Sequence, residues 1–344
     1  MKGLIWTEDS KLELAECKEP GIINDDEVKI KIKYAGICGT DLQILKGNDT
    51  VPPNIILGHE AIGEIVQLGK AVTSFKIGDM VIIDPNQYCG ECYYCKKGLT
   101  NFCENDEGLK IAGINRNGTF AEYFVCEQRF IYKIPKEMSL LSAVLIEPLA
   151  CVLNNIRAAS IRESDAVLVL GSGPMGVLCQ MICKNISKLV VATENSQIRQ
   201  KMASAYSDYI YSSEELSLDE IYKINQNRKF DVIIDTVGTQ MENALKLAEK
   251  NARIIPMGMN KNYAFSLSPI YLISNGLKLI GASEYNMLFT DTISSALRYK
   301  ELDNLVTKRY SIEKYKEAFE SVIGFDLETH ETKEITQLKV VFEF

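Results

Sequence analysis

Ten cysteines and only two histidines limit where metal chemistry can be done in this chain of 344 residues. Four of the cysteines, Cys89, Cys92, Cys95 and Cys103, fall in one run, YCGECYYCKKGLTNFC. Two-residue gaps let successive thiolates converge on one cation, and the spacing predicts a tetrahedral zinc site. Four sulfur ligands leave no open position for water or substrate, so such a metal holds a loop and does no chemistry. A ferredoxin-type iron–sulfur cluster would place its fourth cysteine sooner and follow it with proline, whereas Cys103 precedes Glu104. Disulfides suit small secreted chains. A nucleic-acid-binding ribbon needs a basic surface, but the net charge is −8 and the nearby lysines are Lys96 and Lys97.

Reaction chemistry must therefore lie elsewhere, and a second group of residues offers it. Cys38 stands in YAGICGTD, His59 beside Glu60 in NIILGHEAIG, and Glu147 in LIEPLAC, four residues before Cys151. Singly, each type is more often structural: a histidine hydrogen-bonds, a cysteine fills a core, a glutamate before proline turns the chain. Together, thiolate, imidazole and carboxylate make a zinc set with one open position, which catalytic zinc requires.

A third constellation binds phosphate. The hydrophobic run AVLVL leads straight into Gly171, Gly173 and Gly176, with Pro174 and Met175 between them, and then into the helical pattern VLCQMICKNI. Strand, glycine turn and helix in that order form a dinucleotide fingerprint: the glycines allow a tight turn, close approach to pyrophosphate and close packing of the helix. The helix N-terminus offers free N–H groups to the diphosphate. The next strand, KLVVATE, ends at Glu194, about 20 residues past the turn, where a carboxylate accepts ribose hydroxyls and repels a 2′-phosphate. NAD is thus expected over NADP, with Arg199 as the one nearby group that could pair with such a phosphate.

These sites need elements to hold them. Up to about residue 154 the chain reads as short β runs with period-two alternation, as in Val28, Ile30, Ile32 and Tyr34. From 155 to 289, apolar strands (AVLVLG, KLVVATE, FDVIIDTVG, ARIIPMG, LKLIGAS) alternate with helical segments such as ENALKLAEK, the pattern of βαβ units on a parallel sheet. Residues 290–344 bring two amphipathic helical stretches, DTISSALRYKEL and SIEKYKEAFESV, and a last strand, LKVVFEF, that belongs with the first domain. Between them GFDLETHETKEITQ reads as a surface loop or hairpin. The remaining Cys17, Cys126, Cys151, Cys179 and Cys183 are expected in the cores. No apolar run reaches the ~20 residues of a membrane span and no signal peptide is evident, so a cytoplasmic protein with no membrane or nucleic-acid partner is expected.

The motifs GICGTD, GHEAIGEIVQLG, VTSFKIGDMV, the four-cysteine lobe at about 88–104, GTFAEYFV, IEPLAC and the glycine turn occur in the order seen in the zinc-dependent medium-chain dehydrogenase/reductase family. The chain resembles that family over nearly its whole length, and especially its sorbitol, polyol and sugar dehydrogenase branch. The resemblance implies an α/β plus mostly-β architecture. Residues 1–154 completed by 290–344 would form a GroES-like catalytic domain, and 155–289 a Rossmann-type, doubly wound parallel-sheet domain, with the active site in the cleft between them. It implies two zinc ions per chain. Cys38, His59 and Glu60 match the catalytic ligands, Glu147 a ligand or near-ligand, and Cys89, Cys92, Cys95 and Cys103 the structural ligands. Thr40 matches the hydroxyl that bonds the reacting alcohol and starts a proton relay, with Asp41 a structural hydrogen bonder. Gln43 departs from relatives that carry a histidine relay nearby, since an amide does not titrate near neutral pH. Tyr206 sits where relatives have a left-handed glycine.

The reaction so implied is hydride transfer between a secondary alcohol and NAD, on a small polyhydroxylated substrate such as a polyol, sugar or cyclitol. An amino alcohol, as in threonine or aminocyclitol dehydrogenases, is the alternative substrate. A dinucleotide-binding sensor without catalysis is the alternative of another class. The resemblance also implies a homodimer or homotetramer.

Overall fold

The computed structural model describes residues 1–104 and 108–344, and the chain divides into two compact units, Met1–Ala150 with Asn286–Phe344, and Cys151–Tyr285.

The first unit is organised on one long strand, Glu27–Gly36, whose alternating Val28, Ile30 and Ile32 are fully buried. Along one edge it pairs antiparallel with Glu60–Leu68, in a register that sets Gly36 opposite Glu60. The other edge is shared. Tyr123–Glu127 covers Glu27 to Lys31, and the last strand, Lys339–Glu343, covers Tyr34 to Gly36. Met80–Ile83 and Ile131–Lys133 extend the sheet beyond Glu60–Leu68, and Val306–Ser311 runs parallel to the last strand on the far side. In its core Phe120 packs edge to face on both Phe319 and Phe342, with ring centroids of Phe120 and Phe342 5.1 Å apart.

In the second unit six strands are all parallel, in the order Tyr209–Tyr211, Leu189–Thr193, Ala166–Leu170, Phe230–Asp235, Ala248–Pro256, Lys278–Leu279. The first three of these to form in sequence run outward one way and the rest the other, so the strand order reverses beside Ala166–Leu170. Its carboxyl end is the switch point at which such sheets bind ligands. The five residues of that strand and of Leu189–Thr193 are all buried, as expected of parallel strands covered on both faces.

Several sequence-based boundaries shift for physical reasons. The helix expected over ENALKLAEK is Met241–Leu247; Ala248 pairs with Phe230, which draws Ala248–Lys250 into the sheet. DTISSALRYKEL forms a helix only at Phe289–Ala296, after which tightened turns lead to a 3₁₀ segment that buries Leu302 and Leu305. LKLIGAS contributes only the short strand Lys278–Leu279. Tyr206 is not among the residues with positive φ, so this turn is made without the left-handed position. Cys126, Cys179 and Cys183 are buried, whereas Cys17 and Cys151 are only half-buried. The 324–337 segment contains a bridge between Phe325 and Thr332, and Lys333 ties it to Glu320 of the preceding helix at 2.7 Å. Among the described residues no helix is long and apolar enough to cross a membrane.

Candidate functional site

The end of the strand Glu27–Gly36 gathers the reactive residues. Cys38 follows it and opens the helix Gly39–Leu45, where the Asp41 carboxylate accepts the Cys38 backbone N–H at 2.8 Å. An acid at the third helical position satisfies an otherwise orphaned N-terminal donor. His59 and Glu60 lie at the start of the neighbouring strand, which the Gly36–Glu60 register carries to the same point. Ligand atoms of Cys38, His59 and Glu60 lie within 4.8 Å of one another. Thr40 Oγ1 stands 3.7 Å from Cys38 Sγ. Glu147, in the first turn of the helix Ile146–Ala159, is buried but outside that group, although its charge acts on His59 and Lys339.

Among the described residues, three buried polar atoms here have no hydrogen-bond partner: Glu60 Oε1, His59 Nδ1 and Asp41 Oδ1. Orphaned atoms of this kind in a buried site point to a missing ion or an unmade bond. Asp41 Oδ1 faces His59 Nδ1 at 4.0 Å, which leaves Nε2 as the nitrogen for a metal. One sulfur, one imidazole nitrogen and one carboxylate oxygen suit zinc, and three protein ligands leave a position open. The residues present therefore fit a catalytic zinc ion.

Electrostatics here are those of crowded acids in a dry place. Desolvation and then the Glu60 charge push the Cys38 thiol up to about 12. Burial raises Asp41 to about 6, against the pull of His59. Burial works against a charged His59, but Asp41, Glu147 and Glu60 outweigh it and its pKa rises.

One contributor was not legible in the sequence, and Asp41, expected only as a structural hydrogen bonder, has a second relationship. Lys339, in the last strand, is buried, ion-paired with Glu60 Oε2 and bonded to the Ile37 carbonyl at 2.8 Å. Asp41 proves to be more than a helix cap, because its second oxygen faces His59. No motif flags Lys339; the hint was a lysine opening the terminal strand ahead of Val340, Val341 and Phe342.

In the lobe, ligand atoms of Cys89, Cys92, Cys95 and Cys103 also lie within 4.8 Å of one another. The N–H groups of Glu91 and Cys92 point at Cys89 Sγ at 3.4 and 3.3 Å and hold its pKa below the ordinary thiol value. The N–H groups of Glu104 and Cys95 lower Cys92 to about 6. Such donors stabilise thiolates, the form a metal takes.

The glycine turn lies at the carboxyl end of Ala166–Leu170. Gly171 has φ of 92°, and a side chain on Gly176 would overlap the Gly171 carbonyl oxygen, so only glycine lets the helix Pro174–Lys184 start this close to the strand. Pro174 occupies the first helical position and Met175 follows, both half-buried. The Glu194 carboxylate accepts N–H bonds from Ser172 at 3.1 Å and from Asn195 and Ser196 at 3.0 Å. Arg199 flanks the turn: its Nη1 is 4.0 Å from where a Gly173 side chain would begin, and burial lowers its pKa although the Glu194 charge opposes this.

The chain matches the alcohol dehydrogenase GroES-like domain over residues 24–136 and the zinc-binding dehydrogenase domain over residues 174–299. It is 30% identical to sorbitol dehydrogenase of Halalkalibacterium halodurans over 332 residues, 94% of this chain and 96% of that one. A structure described as a short chain alcohol dehydrogenase of Escherichia coli CFT073, complexed with NADH, has a TM-score of 0.87 and 27% identity, covering 100% of this chain and 99% of that one. Galactitol-1-phosphate dehydrogenase from Escherichia coli gives a TM-score of 0.86 and 26% identity over 100% of each chain. The chain belongs to the zinc-dependent medium-chain dehydrogenase/reductase family, on its sorbitol, polyol and sugar dehydrogenase branch, with the GroES-like and Rossmann-type folds of that family. It is thus an oxidoreductase of the alcohol dehydrogenase type.

Proposed function

We propose that this enzyme interconverts a secondary alcohol of a polyol, sugar or cyclitol and the corresponding ketone, with NAD as hydride acceptor. The observation that carries the reading is the convergence of Cys38, His59 and Glu60 within 4.8 Å. The polyol substrate class is supported by the sorbitol and galactitol-1-phosphate dehydrogenases among its relatives.

When bound, zinc supplies a Lewis acid that makes an alcohol hydroxyl acidic near neutral pH, and the nicotinamide ring takes the hydride. Cys38, His59 and Glu60 hold the metal, with Glu147 as an adjacent acid. Thr40 accepts the proton of the reacting hydroxyl and passes it outward, so the alcohol loses one hydride and one proton. Gln43 does not continue the relay: its amide does not titrate, and its Oε1 already accepts from Asn48 Nδ2 at 2.9 Å. The turn of Gly171, Gly173, Pro174, Met175 and Gly176 binds the pyrophosphate. Glu194 binds the adenosine ribose, and its negative charge beside the turn favours NAD over NADP, with Arg199 flanking the same subsite. Cys89, Cys92, Cys95 and Cys103 hold a second, structural zinc. We place the enzyme in the cytoplasm as a homodimer or homotetramer.

The test is metal content per chain combined with NADH formation on a panel of polyols, cyclitols, amino alcohols and threonine. Two zinc ions and turnover of a polyol are expected, with Cys38→Ser and His59→Ala each losing one zinc and the activity. A wild type that keeps only the lobe metal, or turns over only amino alcohols, would overturn the reading.

A further inference from the structure

The two oxygens of Glu60 are treated differently by the protein. Oε2 is ion-paired with the ammonium of Lys339, while Oε1 is buried without a partner. Lys339 is itself fixed, because the same ammonium donates to the Ile37 carbonyl at 2.8 Å. Its position follows from register. Val341 pairs with Gly36, and Ile37 N–H bonds the Val340 carbonyl at 3.0 Å, so the strand Lys339–Glu343 must deliver Lys339 to the end of Glu27–Gly36. Gly36 leaves the room: a side chain there would overlap Glu60 Oε2 and press on Lys339 Cε at 3.2 Å.

We propose that Lys339 is a positioning residue that clasps Glu60 by one oxygen, so that Oε1 alone is free for a metal and the open metal position stays open. The idea rests on the metal reading of Cys38, His59 and Glu60 given above. A free carboxylate beside a dication is able to bind through both oxygens, which fills the position that substrate needs. An ammonium is a point donor that holds one oxygen, whereas a guanidinium is a fork that takes both. Those geometries make opposite predictions for two substitutions. In Lys339→Met, Glu60 is released onto the metal: metal loss to a chelator slows, and kcat falls more than KM changes. In Lys339→Arg, Glu60 is drawn off the metal, and loss to a chelator speeds up on the order of tenfold, the scale of other supporting contacts around metal ligands. A purely structural role for Lys339 would loosen the site in both variants alike.

The readouts are chelator-driven metal loss and the visible spectrum of cobalt-substituted protein, taken as the difference from Cys38→Ser so that the lobe cancels. The expected result is opposite shifts in metal retention, with the methionine variant moving toward the weaker bands of higher coordination number. Shifts of the same sign, or a cobalt spectrum unchanged in both variants, would overturn the proposal. If Lys339→Met does not fold because Glu60 is left as an unpaired buried charge, Lys339→Arg is compared with and without Glu60→Gln: faster loss only where Glu60 is present supports the clasp, and equal speeding in both backgrounds, or unchanged loss, defeats it. A wild type with no cobalt difference spectrum would instead refute the metal reading itself.

Discussion

Asp41 Oδ1 faces His59 Nδ1 across 4.0 Å, and among the described residues neither buried atom has a hydrogen-bond partner. The other Asp41 oxygen is committed to the Cys38 N–H at 2.8 Å, so one carboxylate bonds one candidate metal ligand and faces a second. A carboxylate behind a ligating histidine fixes its tautomer and raises its basicity. Asp41→Ala is expected to weaken zinc at the Cys38 site by roughly 10–100-fold while the lobe keeps its metal. Competition with a coloured chelator measures both; equal losses at the two sites would show that Asp41 only stabilises the fold.

Proton release on metal binding should report on Cys38. Without metal the Cys38 pKa is raised to about 12, so the thiol form prevails at every pH below that value. Zinc takes the thiolate and must displace the proton, so affinity at this site rises by about tenfold per pH unit between pH 7 and 9 from Cys38 alone. Cys92 of the lobe, lowered to about 6, is already largely thiolate at pH 7 and gives up little, whereas Cys95, raised to about 12 chiefly by burial, gives up its proton as Cys38 does, so the Cys38 proton is isolated by substitution. Calorimetric titration of the metal-free protein in buffers of different ionisation enthalpy, with and without Cys38→Ser, counts the protons. An unchanged count in that variant would contradict the assignment.

Gly176→Ala puts a methyl group against the Gly171 carbonyl oxygen. Backbone cannot retreat as a flexible side chain can, so the helix must move away from the strand, at a cost of about 1–3 kcal/mol. The N–H groups proposed to hold the pyrophosphate would move with it. Cofactor affinity should fall by about tenfold or more, read from NADH fluorescence, with metal content unchanged. Normal NADH binding by this variant would exclude a role for the turn in holding the diphosphate.

Phe342→Ala removes a fully buried ring that contacts Phe120 at 5.1 Å and Phe319 at 5.9 Å between centroids. A cavity at this point of the first unit should cost about 3–5 kcal/mol, visible as a lower midpoint in urea with the denaturant slope preserved. A loss under about 1 kcal/mol would mean that the site collapses around the smaller side chain.

Local information was enough to expect the four cysteines of the lobe together, because Cys89, Cys92 and Cys95 are separated by only two residues each and Cys103 follows seven residues later. It was enough for the glycine turn as well, where strand, turn and helix are consecutive and each glycine answers a clash within a few residues. Alternating Val28, Ile30 and Ile32 announced a half-buried strand, and the unbroken apolar runs after residue 165 announced a covered parallel sheet. Helix ends were less legible, as at Ala248–Lys250, where pairing with a distant strand overrode a good helical pattern.

What tertiary structure alone decided is which groups meet at Glu60. Lys339 reaches it from 279 positions away because two strands flank Glu27–Gly36 in one register, and a slip of one residue would turn its ammonium to the other face of the sheet. The same pairing separated Glu60 Oε1 from Oε2, left Glu147 outside the three-residue group, and aimed the second oxygen of Asp41 at His59. Sequence names the ligand types because chemistry restricts them to few residues. It does not name their partners, because burial and cross-strand register are properties of the folded chain as a whole.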